Sequence, residues 1–160
     1  MKRRETTSAL DLPTSPDQRT GFLLSVTHQL TRKGFNQALR PLEIETRHLG
    51  VLTAIAAHGT LSQARIVELL ALDKSVVVLI VDDLERLGLA KRGRDPGDRR
   101  AHAVHITGEG RKRLAAAQGI AKRIGRTVFA GLSQEDRSHL DRLLQRIIVN
   151  CHELNRGEGL

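Results

Sequence analysis

Residues 62–88 contain two short amphipathic helices separated by only a few residues, and this pattern most narrows the folds open to the chain. Ser62 is a favourable N-cap for the first helix, and Asp73 is one for the second, which runs to Gly88. The buried side of the second helix is marked by apolar residues at helical spacing: Val77, Ile80, Val81 and Leu84. Two helices joined by a tight break indicate a helix-turn-helix.

A β-hairpin is predicted directly after these two helices. Residues 89–92 form a short strand, a charged and turn-rich loop covers 93–100, and residues 101–106 alternate as a return strand. A hairpin that follows a helix-turn-helix is typical of a winged helix.

Further helices flank the winged helix on both sides. Apolar periodicity predicts a helix over 17–39, which Pro41 ends because the residue before a proline avoids helical geometry. A second helix covers 45–57, and a scrap of strand follows at 60–61. Thr107 and Ser133 begin the last two helices. The chain has three Phe and no Trp or Tyr, so the core is aliphatic, which suits packed helices.

The composition is basic, with 26 Lys and Arg against 18 Asp and Glu and a formal net charge of +8. A basic surface suits a phosphate-rich partner such as double-stranded DNA, or an anionic membrane. No apolar run approaches the ~18–20 residues that span a bilayer, and no signal peptide is evident, so we expect a cytoplasmic protein. No metal-ligand cluster, catalytic motif or cofactor fingerprint occurs, so we expect no enzyme activity, metal or cofactor.

These observations predict a mainly α fold, a winged helix-turn-helix with a helical dimerisation domain, in the order helix, helix, strand, helix, helix, strand, wing, strand, helix, helix. We assign residues 1–16 to a flexible tail, 42–106 to the DNA-binding domain, and 17–41 with 107–155 to the flanking helical region. The last helix carries a long apolar stripe, on which the lone Cys151 is expected to be buried. The rest of so small a domain offers little apolar surface for this stripe to pack against, so we expect it to pack against a second copy of the chain.

Four residues at the start of the second helix of the helix-turn-helix are candidates for contact with the major groove. Lys74 can reach phosphate or guanine, and Ser75 can bond to backbone or base. Val76 and Val78 are apolar but lie off the core face, where contact with thymine methyl groups would account for them. The alternative is that neighbouring helices partly bury both valines.

The hairpin loop, residues 91–100, has five basic and two acidic residues. Arg92, Arg94 and Arg100 are therefore candidate DNA contacts. Asp98 lies two residues before Arg100, on the same face of an extended strand, and can hold its guanidinium in one orientation for a narrow minor groove. The alternative is a solvated hairpin whose charges contact only water.

The motifs Leu-Asp-Lys-Ser-Val-Val, Arg-Asp-Pro-Gly-Asp-Arg-Arg and His-Ile-Thr-Gly-Glu-Gly together resemble the multiple-antibiotic-resistance-regulator (MarR) family of transcription factors. The resemblance covers roughly residues 42–113 by motif. It implies a dimeric winged helix in which residues 17–41 and 107–155 form the dimerisation region. It also implies that Lys74, Ser75 and Val78 lie in the major groove and Arg100, positioned by Asp98, in the minor groove. One departure is Ala71, because relatives often have glycine in this turn. A positive φ there would cost alanine about 1 kcal/mol.

The resemblance also implies an effector cleft between the dimer helices and the winged helix. By position, His28, Arg40, Arg47 and His48 would line it and could bind a small aromatic or anionic compound, with His48 titrating near neutral pH. The alternative is that Arg47 and His48 are surface residues paired with Glu43 or Glu45.

The expected function is that of a homodimeric repressor that binds a pseudo-palindromic operator and is released by a ligand. Two alternatives stay open. One is a DNA-binding regulator or architectural protein that responds to no ligand. The other is a protein-interaction module that keeps the fold without binding DNA, and the basic hairpin argues against it.

Overall fold

The computed structural model describes residues 13–94, 102–155 and 157. The chain divides into two compact units, Met1–Ile124 and Gly125–Leu160. None of the helices among the described residues is long and apolar enough to cross a membrane.

The first unit starts with helix α1 (Pro16–Leu39), which ends one residue before a 3-10 turn (Arg40–Leu42) that contains Pro41. This ending confirms the predicted effect of the proline. Helix α2 (Thr46–His58) follows, with Glu45 as its N-cap. The side chain of Asn36 in α1 accepts hydrogen bonds from the backbone N–H and the hydroxyl of Thr46, at 2.8 and 2.9 Å, and so joins α1 to the start of α2.

The predicted helix-turn-helix is present as α3 (Gln63–Leu70) and α4 (Lys74–Arg86). Ser62 caps α3, since its hydroxyl accepts a hydrogen bond from the Arg65 N–H at 3.1 Å. Ala71 ends α3 in the left-handed region, with φ +48° and ψ 45°. The backbone at this turn therefore has the left-handed conformation that favours glycine, as considered for this position from the sequence.

A three-stranded antiparallel sheet follows the order β1-β3-β2. Its strands are β1 (Thr60–Ser62), β2 (Ala90–Arg94) and β3 (His102–Ile106). Leu61 pairs with Val104 on one side of β3, and Arg92 pairs with the same residue from the other side. The predicted hairpin is thus confirmed, with its first strand shifted by one to two residues.

Helix α5 (Gly108–Val128) begins directly after the sheet. The Thr107 hydroxyl donates to the Gly88 carbonyl at 2.7 Å and accepts from the Gly110 N–H at 2.9 Å. A Cβ on Gly110 would lie 2.0 Å from the Leu89 carbonyl oxygen, so only glycine allows this close approach. The Thr-Gly-Glu-Gly segment therefore fixes where α5 leaves β3 and packs against the start of β2.

The core of the first unit is aliphatic and centres on the winged helix. Its largest fully buried side chains come from the end of α1, from α2 to α4, from the turn before β2 and from β3: Leu39, Val51, Leu52, Ile55, Ile66, Val77, Ile80, Val81, Leu84, Leu89 and Val104. All four apolar residues predicted for the buried side of α4 are among them.

The second unit contains the end of α5 and helix α6 (Gln134–Asn155). Ser133 caps α6 as predicted, and Asp136 returns the contact by accepting from the Ser133 N–H at 2.9 Å. No residue of α6 is buried within the single chain, and its apolar stripe is largely exposed. Cys151 is exposed too, so its expected burial is wrong for the isolated chain.

Candidate nucleic-acid interface and ligand cleft

Helix α4 presents its first two turns to solvent. Lys74 and Ser75 are exposed, and the first turn contains no acidic residue. Together with Val78 and Leu79, one turn later, they line an open surface groove whose walls are almost wholly apolar. Leu79 is 59% exposed, which is unusual for a leucine on a helix that packs its other side so tightly.

The two valine candidates of α4 differ in their surroundings. Val76 is half-buried and packs against the hydrophobic core, as the alternative for it supposed. Val78 is half-buried but lines the outer groove with Leu79. The groove therefore brings together three of the four predicted contacts of α4 and adds Leu79, which was not among the residues predicted from the sequence.

Arg92 faces α4 across the start of the hairpin. Its guanidinium pairs with Asp82 at 2.6 Å and with Glu85, and its backbone N–H donates to Glu85 at 2.6 Å. Partial burial opposes ionisation, but the hydrogen bonds that the guanidinium donates to the Asp82 and Glu85 carboxylates outweigh it and raise the pKa of Arg92. Arg92 thus holds β2 against α4 and neutralises two carboxylates there. Arg94, at the end of β2, is exposed.

Asp98 and Arg100 lie outside the described residues, as does most of the loop that carries them. Their roles in orienting a guanidinium and entering the minor groove stay predictions.

A polar cleft with a volume of about 710 Å³ lies beside the N-terminus of α2. Of the four residues predicted for an effector cleft, Arg40, Arg47 and His48 lie on its wall, whereas His28 is exposed on α1 and does not line it. The structure adds residues of α1, of the 43–45 segment and of α4: Lys33, Asn36, Gln37, Glu43, Ile44, Glu45, Asp83 and Arg86.

His48 is buried, with 5% of its surface exposed. Its Nδ1 accepts the Glu45 backbone N–H at 2.9 Å, completing a reciprocal cap at the start of α2. The neutral ring therefore carries its proton on Nε2, which lies 3.5 Å from Asp83 Oδ2 without a hydrogen bond. Burial, and next the nearby Arg47 charge, lower the pKa of His48. The pKa of His48 therefore lies below its ordinary value, which disfavours the charged form, and the alternative placement of His48 on the surface is wrong.

Asp83 is the centre of a small charge network on the cleft wall. Arg86 pairs with it at 3.0 Å, and Arg47 lies 3.5 Å from it and 3.1 Å from Glu45. The Arg86 hydrogen bond is the main reason why the pKa of Asp83 is lowered. The Arg47–Glu45 pair matches the alternative considered for Arg47. The network also links the N-terminus of α2 to α4 through a carboxylate that no local sequence pattern singled out.

Two cations of the cleft are left without a carboxylate. Within the described ranges, neither Lys33 nor Arg40 has an acidic partner at ion-pair distance. The cleft can therefore offer two unneutralised positive charges to an anion. Among the described residues, no three His, Cys, Asp or Glu side chains are grouped to hold a metal ion.

Comparison with known proteins gives a consistent result. Residues 42–101 match the model of the MarR family. The chain is 28% identical over 151 residues to the HTH-type transcriptional repressor NicR of Pseudomonas putida, covering 92% of this chain and 96% of that protein. It is 30% identical to YkoM, an uncharacterised HTH-type transcriptional regulator of Bacillus subtilis, over 81% of each chain. The crystal structure of CouR from Rhodococcus jostii bound to p-coumaroyl-CoA superposes with a TM-score of 0.76 at 29% identity, covering 84% of this chain and 95% of CouR.

Proposed function

Because the chain belongs to the MarR family of transcriptional regulators, we propose that it binds a pseudo-palindromic DNA operator as a homodimer, represses transcription, and is released by a small anionic effector. The observation that carries the DNA-binding part is the outward face of α4. Lys74 and Ser75 stand exposed on its first turn, at the positive end of the helix dipole, in a winged-helix frame.

The hairpin supplies the second contact in this proposal. Arg94 is exposed and free to meet phosphate, and Arg100, oriented by Asp98, enters the minor groove. Arg92 plays a supporting part, since its ion pairs with α4 cancel carboxylates that would otherwise repel phosphate. The net charge of +8 favours the same partner.

The homodimer is supported by the apolar stripe of α6. Leu143, Ile147, Ile148 and Leu154 are all exposed in the single chain, although together they form one side of a long helix. An uncovered apolar stripe of this length marks a protein interface. A dimer joined through the same surface on both copies has two-fold symmetry, which matches a pseudo-palindromic operator.

The effector is assigned to the polar cleft. Its size suits a small molecule, and Lys33 and Arg40 are available to pair with a carboxylate. CouR, a relative of similar fold, was crystallised with p-coumaroyl-CoA, an anionic compound with an aromatic group. We therefore assign an aromatic acid or its anionic derivative to the cleft. His48 takes no part by gaining charge, because its lowered pKa keeps it neutral at neutral pH.

The DNA-binding part is tested by selecting duplexes from a random pool with the intact protein and titrating the selected operator. Arg100→Ala is expected to weaken binding by about 1–3 kcal/mol and to relax preference for A·T pairs beneath the wing. Arg123→Ala, an exposed arginine of α5, serves as the charge-matched control and should change affinity far less. Equal effects of the two variants would contradict a specific role for the wing.

The effector part is tested by release of that operator with a panel of aromatic acids. Arg40→Ala is expected to raise the concentration needed for release without changing operator affinity, because Arg40 meets the ligand and not DNA. Arg19→Ala on α1 is the control. If no compound acts at millimolar concentration, the chain regulates without such an effector, and the DNA-binding proposal stands.

A further inference from the structure

We propose that the apolar groove on α4 reads the C5-methyl groups of thymines in the operator, with Leu79 and Val78 as the specificity-determining side chains. This inference rests on the proposed DNA binding and adds what the helix recognises. It predicts an operator chosen at these positions by methyl groups and not by hydrogen bonds.

The first step is the chemistry of the groove. Val78 lies one turn beyond Lys74, and Leu79 lies one turn beyond Ser75, so the four side chains form two adjacent ridges. Lys74 and Ser75 can contact phosphate or polar base edges, but the floor between the ridges offers almost no polar surface. A surface of this kind cannot donate or accept hydrogen bonds.

The second step is what such a surface can recognise in DNA. Among the four standard bases, only thymine presents an apolar group in the major groove, the methyl on C5. Leucine at 59% exposure has open space around its side chain and can cover such a methyl without any change in the fold. Val76, which packs into the core instead, is excluded from this role.

The third step is why DNA, and not an apolar protein segment, occupies the groove. Lys74 borders it, no acidic residue lies in the first turn of α4, and Arg92 pairs with both Asp82 and Glu85 further along the helix. The electrostatics around the groove therefore suit a polyanion with apolar spots.

The experiment replaces thymines of the selected operator, one pair of half-site positions at a time, with deoxyuridine, which keeps every hydrogen-bonding group and lacks the methyl. At the contacted positions we expect about fourfold weaker binding for each methyl removed, the ratio that corresponds to one buried CH₂ group. In the converse arm, each of these T·A pairs is changed to C·G. The C·G site should bind about fourfold more tightly when its cytosine is 5-methylated.

Leu79→Ala and Val78→Ala supply the matched variants. Each should bind the deoxyuridine operator about as well as the parent does and lose the parent's preference for thymine at one position. Lys74→Ala should weaken binding to both operators equally and leave that preference intact. Circular dichroism checks that α4 is retained, as expected for the exposed Leu79.

Three results would overturn the inference. If no deoxyuridine substitution weakens sequence-specific binding, the helix does not read methyl groups, while the proposed DNA-binding function stands. If substitutions weaken binding but the preference survives in both alanine variants, other side chains read the methyls. If the protein binds no duplex at all, this inference and the proposed function both fail.

Discussion

Replacing Ala71 by glycine is expected to stabilise the protein. Ala71 ends α3 with φ +48°, one of two non-glycine residues with positive φ within the described part of the chain. Its N–H donates to the Val67 carbonyl, so the turn keeps its hydrogen bond whichever residue stands there. The methyl group is exposed, so removing it costs little packing.

The size of the effect follows from two opposing contributions. The left-handed conformation costs an L-residue about 1–2 kcal/mol relative to glycine. Glycine also destabilises the folded state by about 0.4–1 kcal/mol, because its unfolded backbone has more conformational entropy to lose on folding. The net gain is about 0.5–1 kcal/mol, which for a chain of 160 residues raises Tm by about 1–4 °C.

The assay is thermal unfolding at one fixed protein concentration, because association with a second copy would make Tm concentration-dependent. Ala116→Gly is the matched control, since Ala116 is exposed in the interior of α5, where the same substitution should cost about 0.5–1 kcal/mol. The two variants should therefore shift Tm in opposite directions. A decrease for Ala71→Gly as large as that for Ala116→Gly would refute the argument from backbone conformation.

Three further predictions concern pH, the wing and assembly. His48 takes up a proton at a pKa near 6.5 in the unfolded chain and only at lower pH when folded, so the free energy of unfolding should decrease as pH drops below about 6.5. Denaturant titrations of His48→Gln, which can keep the helix cap, should show a flatter dependence of this free energy on pH. The same pH dependence in the variant would contradict the role of His48. Arg92→Ala should lower the free energy of unfolding by about 1 kcal/mol and weaken DNA binding, because the substitution leaves two carboxylates on α4 without their partner. Lys91→Ala on the same strand should leave the free energy of unfolding nearly unchanged in the same titrations. Ile148→Glu should shift sedimentation towards monomer, because this side chain is 54% exposed in the single chain and lies in the proposed dimer interface. A dimer as stable as that of Gln145→Glu would show that α6 does not form the interface.

Local patterns in the sequence were enough to predict the winged helix. Ser62 and Ser133 were expected as caps and make the capping hydrogen bonds, and Pro41 stops α1 as its fixed geometry requires. The apolar spacing in α4 selected its buried side. These predictions hold because each depends on residues within one or two turns of one another.

The side-chain environments at the candidate site followed from packing between distant segments. Asp83, more than thirty residues from Arg47, pairs with that arginine in the cleft. Burial of His48, and next the Arg47 charge, lower the pKa of this histidine, although the Asp83 carboxylate 3.5 Å away acts in the opposite direction. Arg92 was expected to face DNA, yet it binds carboxylates of α4 brought opposite it by the hairpin.

The sequence by itself determined the order of helices and strands, the buried side of α4 and the basic character of the chain. These follow from local backbone preferences, apolar periodicity and composition. Only the tertiary structure decided that Val76 packs against the core while Val78 and Leu79 face outward. It also decided that Lys33 and Arg40 have no carboxylate partner among the described residues around the cleft. The reason is physical: burial and charge pairing depend on which side chains from other elements come within a few ångströms, and spacing along one helix does not contain that information.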